Sequence, residues 1–368
     1  MTPIPILDLT AEVRQLDPEL NAAIQNVLHT TQFIMGPDVK AFEREVAAFL
    51  GAKHAFGVNS GTDALVIGLR AMGIGEGDEV ITTPFTFFAT AESISAVGAK
   101  PVFVDVEPDS FNINPALVAE KINPRTKAIL PVHLFGRPAN MSALMALAEK
   151  HGLFVLEDCA QSFGATDQGK PTGTIGTVGA YSFFPTKNLG CYGDGGLITT
   201  DDDALAETMG MLRVHGAKKK YHNEILGYNS RLDTLQAAIL RVKLPHLADW
   251  NAARRAVATR YNEALEDVSG LITPEITDGH VFHQYTIRVV EKHRDAVQQA
   301  LQERGIGTMV YYPIPQDQLP IYRGQYPPNP VSDLLAKQVL SLPMWPQMPE
   351  DVQSRVIEAV RDVLRGGA

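Results

Sequence analysis

The chain reads as an α/β protein: a large domain with a mostly parallel sheet sandwiched by helices, then a smaller C-terminal α+β domain. Three observations point there. At 368 residues the chain is too long for one simple core and suits two domains of ordinary size. From about residue 54, short apolar runs alternate with amphipathic stretches, as in strand–helix units with right-handed crossovers. Those runs are continuous rather than alternating, as expected of strands buried on both faces.

Taken in order, "HAFGVN" (54–59) predicts a strand and "TDALVIGLRAMG" (62–73) an amphipathic helix. "DEVITT" (78–83) is the next strand and "ATAESISAVGA" (89–99) the next helix. Strands follow at 101–106, 127–132 and 153–158, with helices near 115–122 and 141–151 between them. "GAYSFF" (179–184) and "GGLITT" (195–200) complete the run. Near residue 230 the pattern changes. Residues 232–265 predict a helix, a break at Pro245 and a long second helix. A strand (283–290), a helix (294–305), a strand ("TMVYYP", 308–313) and a closing helix (350–364) form the α+β unit. The stretch 313–331 holds six prolines and is expected to be an ordered loop. The domains are placed at 31–245 and 246–368, with residues 1–30 as an N-terminal segment packing near the small domain.

Composition narrows the function. The net charge is −10, which argues against a broad surface for nucleic acid or an anionic membrane. The basic run Lys218-Lys219-Lys220 is expected to be a solvated helix end, with a phosphorylated ligand as the alternative. Cys159 and Cys191 are the only cysteines, so neither a disulfide framework nor a Cys/His metal site is expected. "MTPIPILDLT" lacks the pattern of a secretory signal, and no apolar run approaches membrane-spanning length. A cytoplasmic location is the expectation.

In open α/β sheets ligands bind beyond the carboxyl ends of the strands. Four such ends carry polar or aromatic groups. Ser60-Gly61-Thr62 opens a helix after the first strand, where unpaired N–H groups can cradle a phosphate. "PFTFFAT" after the second offers Phe87 and Phe88. Asp158 ends a third strand, with Gln161 close behind. Lys187 follows a fourth, in "YSFFPTKNLGCYGDGG" (181–196), just before a glycine-rich turn. Each has a plain explanation alone: a helix cap, core aromatics, a surface charge, an exposed lysine. Together they suit a ligand with a phosphate, a flat ring, a ring nitrogen kept protonated and an aldehyde, which describes pyridoxal 5′-phosphate (PLP). A carboxylate beside the ring nitrogen keeps it cationic. A lysine holds the cofactor as a Schiff base and then serves as a general base.

The chain resembles the DegT-type PLP-dependent sugar aminotransferases of the aspartate-aminotransferase fold (fold type I). The resemblance runs over essentially the whole chain and is carried by "NSGTDAL" (59–65), "GDEVITTPFTFFAT" (77–90), "EDCAQSFGA" (157–165), "SFFPTKNLGCYGDGG" (182–196) and "GYNSRLDTLQAAIL" (227–240). It implies that Lys187 holds the cofactor, Asp158 pairs with the pyridinium nitrogen, Gln161 bonds the ring hydroxyl and Phe87 stacks on the ring. It implies further that Gly61, Thr62 and Ser182 hold the phosphate, and that Asn229 reaches the phosphate site of a neighbouring subunit, making the enzyme a homodimer with shared active sites. Some relatives carry histidine in place of the lysine and dehydrate sugars; Lys187 argues against that branch.

Within the family, "GCYGDGG" and "NSRLDTLQAA" look closest to enzymes that use glutamate to aminate C3 of UDP-2-acetamido-2-deoxy-3-keto-glucuronic acid, for surface polysaccharides. Arg231 is the candidate for the uronate carboxylate, since a guanidinium binds both oxygens in its plane. An Arg that only ties the subunit interface together is the plainer alternative. Tyr311 and Tyr312 are further candidates for substrate contact. "VYYPIP" puts Tyr311 where relatives often carry His, and "QDQLPIY" also departs from common family patterns. The alternatives are amination of a dTDP-keto-6-deoxyhexose at C3 or C4, and a PLP-binding regulator without turnover.

Overall fold

The structure is a computed structural model and describes residues 2–365. Helices α1 (Thr10–Thr30) and α2 (Pro37–Leu50) precede the first strand, β1 (His54–Val58). Next come α3 (Gly61–Ala71), β2 (Glu79–Thr82), α4 (Ala89–Ala96), β3 (Lys100–Phe103), α5 (Pro115–Lys121) and β4 (Thr126–Ile129). They are followed by α6 (Met141–His151), β5 (Phe154–Asp158) and a short hairpin of β6 (Thr166–Asp167) and β7 (Lys170–Pro171). Then come β8 (Val178–Ser182), β9 (Gly196–Thr200), α7 (Asp203–Leu212), a hairpin of β10 (Ala217–Lys219) and β11 (His222–Asn223), and α8 (Thr234–Lys243).

The main sheet has seven strands in the order β1-β9-β8-β5-β4-β2-β3. Pairings from β8 through β3 are parallel; β9 runs antiparallel to both β8 and β1. Successive residues explain the continuous apolar runs. Val80, Ala128 and Leu156 face a core with α3, while their neighbours Ile81, Ile129 and Val155 face a second core with α5 and α6. Side chains alternate across a strand, so a strand covered on both faces must be apolar at every position.

A 3₁₀ turn at Leu244–His246, containing Pro245, separates α8 from α9 (Leu247–Leu265). Beyond it lie β12 (Leu271–Ile272), β13 (Tyr285–Val289), α10 (Arg294–Glu303), α11 (Pro330–Gln338), β14 (Val339–Leu342) and α12 (Glu350–Arg365). β12, β13 and β14 form an antiparallel sheet. Val356, Val360 and Val363 of α12 share its core with Ile4 from the N-terminus. The N-terminal stretch divides: Ile4 bridges to Ile306, whereas α1 lays Leu16 and Leu20 against Ile239 of α8 and Trp250 of α9.

Two expectations are corrected. Residues 308–313 are not a strand; only Met309 bridges, to Ser341, and the sheet is completed by β14. Pro313 offers no N–H to a ladder, and Tyr311 and Tyr312 turn toward a cavity instead. Lys218 and Lys219 lie in the β10–β11 hairpin, not at a helix end, and Lys218 pairs with Glu207 at 2.6 Å. No helix among the described residues is long and apolar enough to cross a membrane.

Candidate active site

A cavity of about 680 Å³ opens at the carboxyl edge of the main sheet. Gly61, Thr62, Phe87, Asp158, Gln161, Ser182 and Lys187 line it, together with Tyr311 and Tyr312. Six elements deliver these side chains: the start of α3, the turn after β2, the end of β5, the end of β8, the β8–β9 loop, and the loop after α10.

Ser60 caps α3, its hydroxyl accepting from the Asp63 N–H at 3.1 Å. The remaining N–H groups of the first turn are left for a ligand. Close approach is built in: a Cβ on Gly61 would lie 2.7 Å from Ser182 Cβ. α3 therefore starts directly against the end of β8.

Asp158 is buried, at 5% exposure. Thr90 Oγ1 donates to its Oδ2 at 2.9 Å, and the Ala160 N–H donates to Oδ1 at 3.1 Å. Burial raises its carboxyl above the usual range, against the pull of those bonds and of Lys187. A carboxylate held there is poorly compensated until a cation meets it.

Lys187 sits in the β8–β9 loop, and its amine has no hydrogen-bond or ion-pair partner among the described residues. Burial depresses it to about 8, with Asp158 pulling the other way. The loop is held from behind. The Lys187 N–H donates to Phe184 O and the Cys191 N–H to Phe183 O. The fully buried Lys243 donates to Gly190 O and pairs with Glu12 of α1 at 2.6 Å. A Cβ on Gly190 would lie 2.4 Å from Pro185 O, so only glycine lets the turn close. A free, easily deprotonated amine on a braced loop is suited to covalent attachment.

Gln161 Oε1 accepts from the Phe135 N–H at 2.7 Å, and its Nε2 donates to Tyr312 Oη at 3.0 Å. Phe87 is 60% exposed and lines the cavity. Its ring lies 6.3 Å from that of Tyr312. Gln316 pins the turn from the proline-rich loop, donating to Thr86 O and Phe87 O at 2.9 and 2.6 Å.

Asn229 and Arg231 are not brought to Lys187 within one chain. They line a separate cavity of about 680 Å³ with Asp194, Asp233 and Gln236. Ser60 and Asp194 border both cavities. Arg231 Nη2 donates to Asn229 Oδ1, so the two act as one unit.

Sequence reasoning missed His283 and Gln284, which line the Lys187 cavity from the small domain, and Thr90, which holds Asp158. The polar pair in "FHQYT" at the mouth of an apolar strand was the available signal. The buried trio His133, Glu157 and Cys159 brings potential ligand atoms within 4.8 Å. Its donors are already consumed. Glu157 accepts from Ile175, Gly176 and Gly173 N–H and from His133 Nε2–H, while His133 Nδ1 accepts from the Ala139 N–H. It is a brace behind Asp158.

Several known proteins resemble this chain over nearly its whole length. A protein "pleiotropic regulatory protein" from Geobacillus stearothermophilus is 50% identical, over 98% of this chain and 99% of its own. A UDP-N-acetyl-3-dehydro-α-D-glucosamine 3-aminotransferase from Acidithiobacillus ferrooxidans is 48% identical, over 99% of each chain. A UDP-2-acetamido-2-deoxy-3-oxo-D-glucuronate aminotransferase from Pseudomonas aeruginosa is 46% identical, over 94% of this chain and 96% of its own. Among solved structures, Streptomyces venezuelae DesV in complex with a ketimine intermediate superposes with a TM-score of 0.97 at 44% identity, with all of both chains covered. The DegT/DnrJ/EryC1/StrS aminotransferase family model matches residues 14–361. The chain therefore belongs to that family and is a PLP-dependent sugar aminotransferase.

Proposed function

We propose that the enzyme moves an amino group from glutamate to C3 of UDP-2-acetamido-2-deoxy-3-keto-glucuronic acid, for a surface polysaccharide. The reading rests on one arrangement: Arg231, held to Asn229, presents its guanidinium in a cavity separate from that of the partnerless Lys187 amine, from which a neighbouring subunit can bring it to a second Lys187. When bound, PLP supplies an electron sink for charge left as a proton leaves carbon. The residues present fit it. Lys187 is the covalent attachment point and proton carrier, Asp158 the partner for a ring cation, and Gln161 a donor beside the ring. Phe87 offers a stacking face, and Gly61, Thr62 and Ser182 form the phosphate cradle.

Arg231 favours an acidic sugar, since its guanidinium can take both carboxylate oxygens. A neutral 2-acetamido-3-keto sugar is the second reading, favoured by Asp194 and Asp233 on the same cavity. Run in reverse, from the 3-amino sugar and 2-oxoglutarate, Arg231→Ala should cut kcat/KM for the uronate roughly ten- to a hundredfold, as for loss of a charge-assisted contact. The half-reaction with glutamate should stay near wild type. Equal loss on uronate and neutral sugar would move the assignment to the second reading. Activity on a dTDP-3-amino-6-deoxyhexose with both UDP sugars inert would replace it.

The enzyme is proposed to work as a homodimer, with Asn229 and Arg231 completing the partner's site. Their separation from Lys187 in one chain supports this. So do exposed apolar side chains on the cavity walls, Ile34 at 50% and Phe184 at 50%. Mixing Lys187→Ala subunits with Asn229→Ala subunits should restore activity through the one hybrid site in which both residues are intact. Demonstrated subunit exchange without recovery would rule sharing out.

A further inference from the structure

His283 stands at the head of β13 with its ring orientation set by a chain of amides. Asn188, the residue after Lys187, donates through Nδ2 to Asn251 Oδ1 at 2.8 Å and to Val281 O at 3.2 Å. Its Oδ1 must then be an acceptor, and it lies 3.0 Å from His283 Nδ1. His283 therefore carries its proton on Nδ1 and presents a bare Nε2 lone pair. Nε2 has no partner among the described residues, and the side chain lines the Lys187 cavity. The backbone here is costly to hold: buried Phe282 has φ 45°. Arg254 Nη1 holds it from α9, donating to Phe282 O and His283 O at 3.4 and 3.2 Å. Strain of this kind persists where the surroundings enforce it, commonly at functional sites.

Resting on the assignment of Lys187 as the attachment point, we propose that His283 is a positioning residue for that lysine, its unpartnered Nε2 accepting a hydrogen bond from the released Lys187 ammonium when that side chain turns toward it across the cavity they share. The lysine must be released and recaptured in every cycle, and between the two it needs a fixed acceptor. A neutral imidazole provides one without adding charge next to Asp158. The charged and titratable groups around the ring support neutrality. Burial first, and then the cations Lys187 from the β8–β9 loop and Arg254 from α9, hold the imidazole well below its ordinary range. Asp158 from β5 and Tyr311 from the loop after α10 share the cavity.

Two variants separate positioning from packing. His283→Asn can keep the donor to Asn188 but removes the acceptor facing the cavity; His283→Gln places an amide oxygen near the position of Nε2. The first readout is the pH dependence of Lys187 acylation in the cofactor-free protein, followed by peptide mass. An acceptor stabilises the ammonium, so His283→Asn should move the midpoint down by about one pH unit, while His283→Gln stays near wild type. In the loaded enzyme, single-turnover rates should fall about tenfold for Asn and recover for Gln. An unchanged midpoint in His283→Asn, or equal behaviour of the two variants, overturns the proposal. Should either variant fail to fold, imidazole ¹⁵N shifts of the wild-type protein decide it: a proton on Nε2 refutes it and a bare Nε2 sustains it. Borohydride trapping in the wild type keeps the failures distinct, because cofactor recovered away from Lys187 indicts the attachment site rather than His283.

Discussion

Replacing Lys187 with alanine should give a folded protein that lacks the yellow colour of covalently held cofactor and completes no transamination. The loss should exceed the roughly 10²–10⁴ that a positioned general base contributes alone, because the same amine is also the attachment point. Folding should survive, since the loop depends on backbone bonds at Phe183, Phe184 and Gly190 rather than on the lysine side chain. A second readout has a fixed sign. The amine is depressed from 10.5 to about 8 in the folded chain, so between those values the unfolded state binds more protons and stability rises with pH. The penalty is full below about 8 and gone above 10.5. Cofactor-free Lys187→Ala should therefore unfold at higher denaturant than cofactor-free wild type at pH 7, with the gap closing as pH climbs through that window. Borohydride should fix the wild-type cofactor on Lys187. Trapping on another lysine, or turnover in the variant, would remove Lys187 from its role.

Much of this was readable from the chain because both signals are local. A strand covered on both faces must be apolar at consecutive positions, as at Val80-Ile81 and Val155-Leu156, and such runs stand out. Asp158 and Lys187 each follow such a run, so the strand-end rule brought them to one edge without three-dimensional information. The reading failed where tertiary context decides. Residues 308–313 have strand composition, yet the tyrosines are drawn to the cavity and the ladder passes to Val339–Leu342. The lysine run looked like a helix end because its pairing with a hairpin turn is not a pattern of hydrophobic spacing. α1 went unread since a stripe as thin as Leu16, Leu20 and Val27 among polar residues gives little periodic signal, whereas α2 carries a legible one in Val39, Phe42, Val46 and Leu50 after Pro37. His283 gave only the weak signal of a polar pair ahead of an apolar strand, for a different reason. It comes from the small domain, and what marks it is the amide chain through Asn188 and Asn251, which no spacing encodes.

Asp158→Asn should separate function from stability, moving the two in opposite directions. Asparagine fits the existing bonds. Its oxygen can accept from the Ala160 N–H, and its amide can donate to Thr90 Oγ1, whose own proton can turn to Thr86 Oγ1 at 3.2 Å. The cofactor should stay bound through Lys187 and the α3 cradle. What is lost is the negative charge that holds a ring nitrogen cationic as charge develops on the ring. A single preorganised electrostatic group of this kind is worth roughly 10²–10³ in kcat, and that is the expected fall, in both half-reactions alike. Stability should go the other way. Burial raises the Asp158 carboxyl in the folded chain, so above its usual value of 3.8 the folded state binds more protons than the unfolded one. Stability then declines as pH rises through that window, and the cost persists above it. The neutral amide avoids it, so cofactor-free Asp158→Asn should be more stable than cofactor-free wild type at pH 7 and lose that advantage near pH 3. Denaturant titrations at the two pH values, set beside half-reaction rates, test both arms. A variant with near-normal rates would mean that another group supports the ring nitrogen. One that is slow and also less stable would mean that Asp158 acts through its bonds to Thr90 and Ala160 rather than through its charge.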